Sequence, residues 1–262
     1  MRRWGVLCLL IGILSGVVGV RPAQAAKQRT LRELAPAAAD AAKNRRGYVS
    51  VAVYDLDTDQ LYTFQPERRF RMYSTVKVAI MLAVLDRVVR EERRATTREQ
   101  AMITAMIQRS DNAAATTLLG IAGGAVGVEA FLRRNNIVNT TINGVAWGAS
   151  TTTAPDMARL LARLANCVLL VERLCRYAQD VMRGVVSWQA WGVSGGVPAV
   201  ASVALKNGWY PDPGGWTVNS MGIVQNGNVR YTIAVFTFPD PSMAYGIATI
   251  EQISMAVYAG SR

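Results

Sequence analysis

The stretch "FRMYSTVKVAIMLAVL", residues 70–85, carries a seam between two kinds of sequence. Up to Tyr73 it is basic and aromatic; from Val76 it is a nearly unbroken run of apolar helix formers. Ser74 and Lys77 stand at the seam, three positions apart. On a helix beginning at Ser74 they share one face, because residues i and i+3 are neighbours. The serine then stands at the helix N-terminus, where outward N–H groups favour developing negative charge. Two meanings compete: a serine cap followed by a solvated lysine, or a nucleophile followed by its base. A buried Lys77 close to a second cation would lose enough basicity to take the serine proton.

Upstream of the seam, "GYVSVAVYDLDTDQLYTF" (residues 47–64) places two alternating runs around an Asp-rich turn, the pattern of a β-hairpin. An Ala-rich helix is expected before it, over about 29–44. Downstream, the chain reads as helical to about Arg183, with breaks near 94–97, 123–127 and 135–150. Thr153, three before Asp156 and with Pro155 between them, forms a capping-box pattern. From about Val200 the pattern returns to strands: "ASVALKNG", "WTVNSMGIV" and "VRYTIAVFTF", the last two joined by Asn226-Gly227-Asn228. A final helix is expected after Pro241.

Strands at both ends around a helical insertion predict an α+β fold. We expect one antiparallel sheet of about five strands flanked by helices, with an all-helical lobe beside it. The α/β lobe would comprise 26–73 and 187–262, the helical lobe 74–186, and a site would lie in the cleft between them.

The 262 residues are 51% hydrophobic and 18% charged, so the chain is a globular one. It contains no histidine. That removes Ser–His–Asp and Cys–His catalysis and the two-His zinc motifs. An activated serine must then be served by lysine or a carboxylate.

Residues 1–25 read as an export signal: Arg2 and Arg3, an apolar run from Trp4 to Val20, then Ala23-Gln24-Ala25 as a cleavage site. The rival is an uncleaved anchor, since the run approaches the length of a membrane span. Cys8 lies too early for a lipid-modified cysteine. Secretion to the periplasm or cell wall would expose Cys167 and Cys175, eight apart in "NCVLLVERLC", to an oxidising environment. They read either as a short disulfide between a helix end and the next helix start, or as two buried thiols. The formal charge of +11 falls to +8 once Arg2, Arg3 and Arg21 leave with the signal, which suits anionic wall polymers. It does not indicate nucleic acid, because "REERRATTRE" (90–99) mixes signs as a solvated helix face does.

Two further motifs follow Ser74 and Lys77. Ser110-Asp111-Asn112 follows the helical run "AMITAMIQR"; such residues are ordinary at helix junctions. Functionally, Ser110 would relay a proton from Lys77 to a leaving group, and Asn112 would donate to a substrate carbonyl. Lys206-Asn207-Gly208 ends a strand run. A lysine there is ordinary edge protection, or else a fixed cation facing the serine pair, with Gly208 where a substrate strand approaches. Only four lysines occur, Lys27, Lys43, Lys77 and Lys206, and two fall inside this ordered set.

S-x-x-K, S-D-N and K-N-G, in that order, resemble the motif set of class A β-lactamases and penicillin-binding proteins. "FRMYSTVKVAIMLAVL", "MIQRSDNAAATTLLGIAGGAVGVEAFL" and "STTTAPDMARLLARL" are similar to that family's nucleophile helix, the helix of its second motif and the helix after its omega loop. The resemblance spans nearly all of the chain after the signal and implies the β-lactamase/transpeptidase-like fold. By it Ser74 is the acylated nucleophile and Lys77 its base or relay. Ser110 shuttles the proton, Asn112 and Lys206 align and polarise, and the N–H groups of Ser74 and Trp209 form the oxyanion hole. It implies a β-lactam or a peptidoglycan stem peptide as partner, no metal, no cofactor and a monomer.

Three departures qualify the resemblance. The family's omega loop carries a glutamate that activates water, yet Phe131 to Thr153, "FLRRNNIVNTTINGVAWGASTTT", has no Asp or Glu. A positioned general base is worth about 10²–10⁴ in rate, so an acyl-enzyme should persist. The segment from Lys77 to Ser110 is short for the family. Asn207 replaces Thr or Ser, and no arginine occurs over Trp216–Val224 to hold a substrate carboxylate. Asn207 is expected to donate to that carboxylate instead.

Overall fold

The structure, a computed structural model, describes residue 1 and residues 28–262. The export signal, its cleavage site and Cys8 lie outside the described residues. The chain begins with β1 (Gln28–Thr30), α1 (Leu31–Leu34) and α2 (Pro36–Lys43), then the hairpin β2 (Tyr48–Asp55) and β3 (Gln60–Phe64). β4 (Phe70–Arg71) leads through a 3₁₀ turn, Tyr73–Thr75, into α3 (Val76–Arg90). α4 (Thr97–Gln108), α5 (Asn112–Ile121) and α6 (Gly124–Arg134) follow. Then come β5 (Thr151–Thr152), α7 (Ala154–Ala165) and α8 (Glu172–Arg183). Three long strands, β6 (Ser202–Asp212), β7 (Gly215–Asn226) and β8 (Val229–Asp240), precede α9 (Met243–Gly260).

Among the described residues the main sheet has six strands in the order β1-β3-β2-β8-β7-β6, one more than the sequence suggested. The addition is β1, which pairs parallel to β3 and makes the sheet mixed rather than wholly antiparallel. Gln28–Thr30 carries no apolar alternation, so it looked like the start of the Ala-rich helix. Thr30 instead stands at the N-cap of α1, where Glu33 accepts from its N–H at 2.9 Å, and Pro36 at the start of α2 divides that helix at Ala35. β2 joins the N-terminal hairpin to β8, Val51 opposite Val235, so the two ends of the chain meet in the sheet. β6 forms its free edge.

Alternation along the strands divides the interior in two. Val51, Val53, Ile233, Val235 and Val218 face α2 and α9. Ala52, Ala234, Phe236 and Met221 face the other helices. α7 lies directly on this second face, where Thr232 Oγ1 donates to the Ala158 carbonyl at 2.7 Å. Thr153 caps α7 by accepting from the Asp156 N–H, while the Asp156 carboxylate turns away to other partners.

α3 runs through the middle of the helical part, against α4, α5, α6 and α8. Every residue from Val76 to Leu85 is buried. This explains the missing amphipathic pattern: a helix apolar all round is buried all round. Each fully buried aliphatic side chain there contributes about 1.5–3 kcal/mol of transfer free energy. Lys77 is the one ionisable group on that buried run. Cys167 and Cys175 are disulfide-bonded, their Cα atoms 5.4 Å apart, and link the end of α7 to α8. Of the two meanings open in the sequence, the structure has the bond.

Candidate active site

The turn that carries Ser74 is held by the edge of the sheet. Ser74 lies in the 3₁₀ turn rather than capping the helix; Thr75 occupies the cap position and its hydroxyl donates to the Met72 carbonyl at 2.6 Å. Gly208 on β6 packs against this turn. A Cβ there would lie 2.7 Å from the Met72 oxygen, 2.8 Å from the Ser74 nitrogen and 2.9 Å from the Thr75 nitrogen. The glycine is therefore required by the protein's own backbone, where the sequence had suggested a substrate strand. Asn219, opposite Gly208 on β7, donates to the Arg71 carbonyl at 2.8 Å and fastens the residues before Ser74. Nothing in the sequence had singled out Asn219, although a fully buried asparagine inside the apolar run "WTVNSMGIV" is an available signal.

Tyr73 and Ser110 both have left-handed backbone, with φ of 46° and 58°. Such conformations cost about 1–3 kcal/mol each for non-glycine residues and gather at functional sites. The Tyr73 ring stacks on Tyr210 at 5.1 Å. The Ser110 conformation turns its carbonyl and hydroxyl toward the same lysine. Lys77 Nζ donates to Ser110 O at 2.7 Å, Ser110 Oγ at 3.0 Å and Asn112 Oδ1 at 2.8 Å. Asp111 between them caps α5 by accepting from the Ala114 N–H at 2.7 Å. With its oxygen on Lys77, exposed Asn112 keeps its NH₂ for a ligand.

Lys77 and Lys206 are both fully buried. Burial pulls Lys77 down to about 8, against a smaller opposing pull from Asp111. Lys206 falls to about 7, first from burial and then from repulsion by Lys77. Its Nζ donates to the Asn207 carbonyl at 2.9 Å and lies 3.5 Å from Gln189 Oε1. Neither lysine has a salt bridge to a carboxylate among the described residues. Two buried amines, each without a counter-ion among the described residues, favour an anion brought in from outside whenever they are charged.

Asn207 points elsewhere. It is fully buried, and its Nδ2 donates to the carbonyls of Gln189 at 2.8 Å and Trp191 at 3.0 Å. It thus braces the segment before β6, and its donors are engaged rather than turned to a substrate. The Trp209 ring packs between Trp188 and Trp191, with centroids 6.4 and 5.6 Å away.

The loop after α6 explains what the absent glutamate leaves behind. The two carboxylates flanking 131–153 hold the loop's backbone. Glu129 accepts from Ile142 N–H at 2.9 Å; Asp156 accepts from Asn139 N–H at 2.7 Å and Thr140 Oγ1 at 2.9 Å. Burial raises the Asp156 pKa above its ordinary value. Over Lys77 the loop places Trp147, whose ring centroid is 4.9 Å from Nζ and whose indole N–H donates to Thr116 Oγ1 at 3.1 Å. A cation over an indole face is worth about 0.5–2 kcal/mol. Trp147 is a second residue, after Asn219, that the sequence had passed over, because that loop was read only for acids.

A profile described as "Beta-lactamase enzyme family" matches residues 30–100 and 92–260. Among solved structures the chain is similar to TLA-3 extended-spectrum beta-lactamase, with TM-score 0.79, 18% identity, and 87% of this chain and 98% of that one covered. A class A beta-lactamase from Bacteroides cellulosilyticus DSM 14838 has TM-score 0.79 and 21% identity, covering 88% and 98%. PBP-A has TM-score 0.77 and 22% identity, covering 90% and 98%, and a PBP-A mutant has been solved as an acyl-enzyme complex with penicillin G. At these identities the structural likeness bears on the fold.

Proposed function

Since the chain belongs to the beta-lactamase enzyme family, we propose that it is a secreted serine acyl-enzyme hydrolase, acylated at Ser74 by β-lactams or D-Ala-D-Ala-like peptides, that releases the acyl group slowly. The carrying observation is Lys77: buried, lowered to about 8, and joined to both Ser110 and Asn112. At pH 7 a lysine with that pKa is neutral about one time in ten, roughly 300 times more often than an ordinary lysine at 10.5. Neutral Lys77 takes the Ser74 proton as Oγ attacks the carbonyl carbon. The proton passes through Ser110 Oγ to the leaving nitrogen as the C–N bond breaks. Charged Lys206 holds the substrate carboxylate, and the N–H groups of Ser74 and Trp209 receive the oxyanion. The close packing of Gly208 on Ser74 supports that last role, since it brings β6 alongside the Ser74 amide.

Slow release rests on the loop over the site. It brings an indole over Lys77 and no carboxylate of its own, and its flanking carboxylates are engaged by backbone N–H groups. The Cys167–Cys175 bond supports an oxidising compartment after signal cleavage near residue 25. Intact-protein mass spectrometry with penicillin G tests the reading. A single adduct persisting for minutes and absent in Ser74→Ala is expected; no adduct, or one that survives Ser74→Ala, refutes it.

The same missing carboxylate supports a second reading, a D-alanyl-D-alanine carboxypeptidase-like enzyme, which release of D-Ala from a stem peptide would select. The engaged Asn207 amide favours a third, a non-catalytic module for wall peptide. Muropeptide binding unchanged by Ser74→Ala, without any adduct, would select that one.

A further inference from the structure

Between β4 and the adjoining ends of β2, β7 and β8 lies a second cavity of about 330 Å³, and none of Ser74, Lys77, Ser110 or Lys206 lines it. Its floor is aromatic. Phe70 is buried there, and Phe238 is paired across the sheet with Tyr48, which is half exposed at the mouth. Its rim is cationic, formed by Arg68, Arg69 and Arg71. Arg71 is matched by Asp212 at 2.6 Å, and the other Asp212 oxygen accepts from Thr217 Oγ1 at 2.6 Å. That carboxylate is fully engaged.

Arg68 and Arg69 are different. Among the described residues neither forms an ion pair. The Arg68 guanidinium lies 3.6 Å over the Tyr48 ring and, among the described residues, donates only from Nε, to Gln65 Oε1 at 3.2 Å. Among the described residues Arg69 donates only from Nη2, to the Asn139 carbonyl at 2.6 Å. A guanidinium has five N–H donors in a rigid fork shaped for oxyanions. Two such forks on the rim of an apolar floor, with no carboxylate partner among the described residues, make a field that attracts anions and a surface that desolvates what is attached to them.

We propose that this cavity is a binding site, separate from the Ser74 cleft, for a small ligand bearing one carboxylate or phosphate on an aromatic or apolar body. Arg68 and Arg69 take the oxyanion, and Phe70 and Phe238 take the body. A peptide C-terminus and a phosphoester of a wall polymer share this chemistry.

Isothermal titration at low salt tests it, with phenyl phosphate and N-acetylphenylalanine as probes on the full chain, the Arg68→Gln/Arg69→Gln double variant and Lys206→Ala. At least one probe should bind saturably. Binding should weaken tenfold or more in the double variant and stay unchanged in Lys206→Ala. Preference for phenyl phosphate would mark a phosphoester ligand, and preference for the carboxylate a peptide or carboxylic acid. Absence of saturable binding, equal binding by the double variant, or loss in Lys206→Ala overturns the proposal. Backbone amide shifts locate the probe in the unaltered protein: they should centre on 68–71 and Phe238, and changes centred on Ser110 and Lys206 would refute the site.

Discussion

Acylation of Ser74 should pass through a maximum near pH 7.5, because two buried lysines must hold opposite protonation states. Lys77 acts as base only when neutral, and that fraction grows as the pH rises through about 8. Lys206 holds a substrate carboxylate only when charged, and that fraction shrinks as the pH rises through about 7. At the midpoint each condition is met by about a quarter of molecules, so roughly 6% are competent; at pH 6 and pH 9 roughly 1% are. The profile is therefore a bell that falls about sixfold within 1.5 pH units on either side, its limbs belonging to the coupled pair. The assay is the second-order rate constant for acylation by a fluorescent penicillin, followed by stopped flow from pH 5 to 10.5, which reports the free enzyme. Lys206→Met should abolish the falling limb and lower the maximum. A wild-type rate that climbs without a maximum to pH 10, or a flat profile, would refute the assignment of base and anchor.

Gly208→Ala would press a methyl group against Met72 O and the Ser74 and Thr75 nitrogens; a displacement of about 1 Å at the nucleophile should slow acylation by about 10², read by the same assay. Trp147→Ala should shorten the acyl-enzyme lifetime by up to about tenfold by admitting water over Lys77, less than the 10²–10⁴ of a positioned base; mass-spectrometric decay of the adduct measures it. Reducing the Cys167–Cys175 bond should lower unfolding free energy by about 2 kcal/mol for so short a loop, seen in urea melts, and leave the acylation rate unchanged.

The legible parts of the sequence were those written in local pattern. The hairpin of β2 and β3 follows from alternation around an Asp-rich turn, and β7 to β8 turns at Gly227, whose φ is 58°. The meeting of Lys77 with Ser110 and Asn112, and of Gly208 with the turn of Ser74, joins motifs that stand in order in a chain without histidine. What stayed hidden depends on contacts between distant residues. β1 has no periodicity and exists by pairing with β3. Trp147 reaches Lys77 across 70 positions, and the direction of the Asn207 side chain depends on carbonyls at 189 and 191. The Gly208 requirement could be seen only once the turn before Ser74 lay against β6.

The pairing of β2 with β8 has a kinetic meaning as well. Tyr48 meets Phe238, so the sheet closes only after the whole helical insertion has been made and the far end of the chain has returned. Loops of that length close slowly, and such non-local pairing places a fold among the slow ones. Lys206 and Gly208 belong to the late-arriving strands, whereas Lys77 is on a helix that can form early, with Ser74 in the turn just before it. A half-folded chain would therefore carry its serine without the strand that seats it. Acylation at Ser74, as proposed, would in that sense report completed folding.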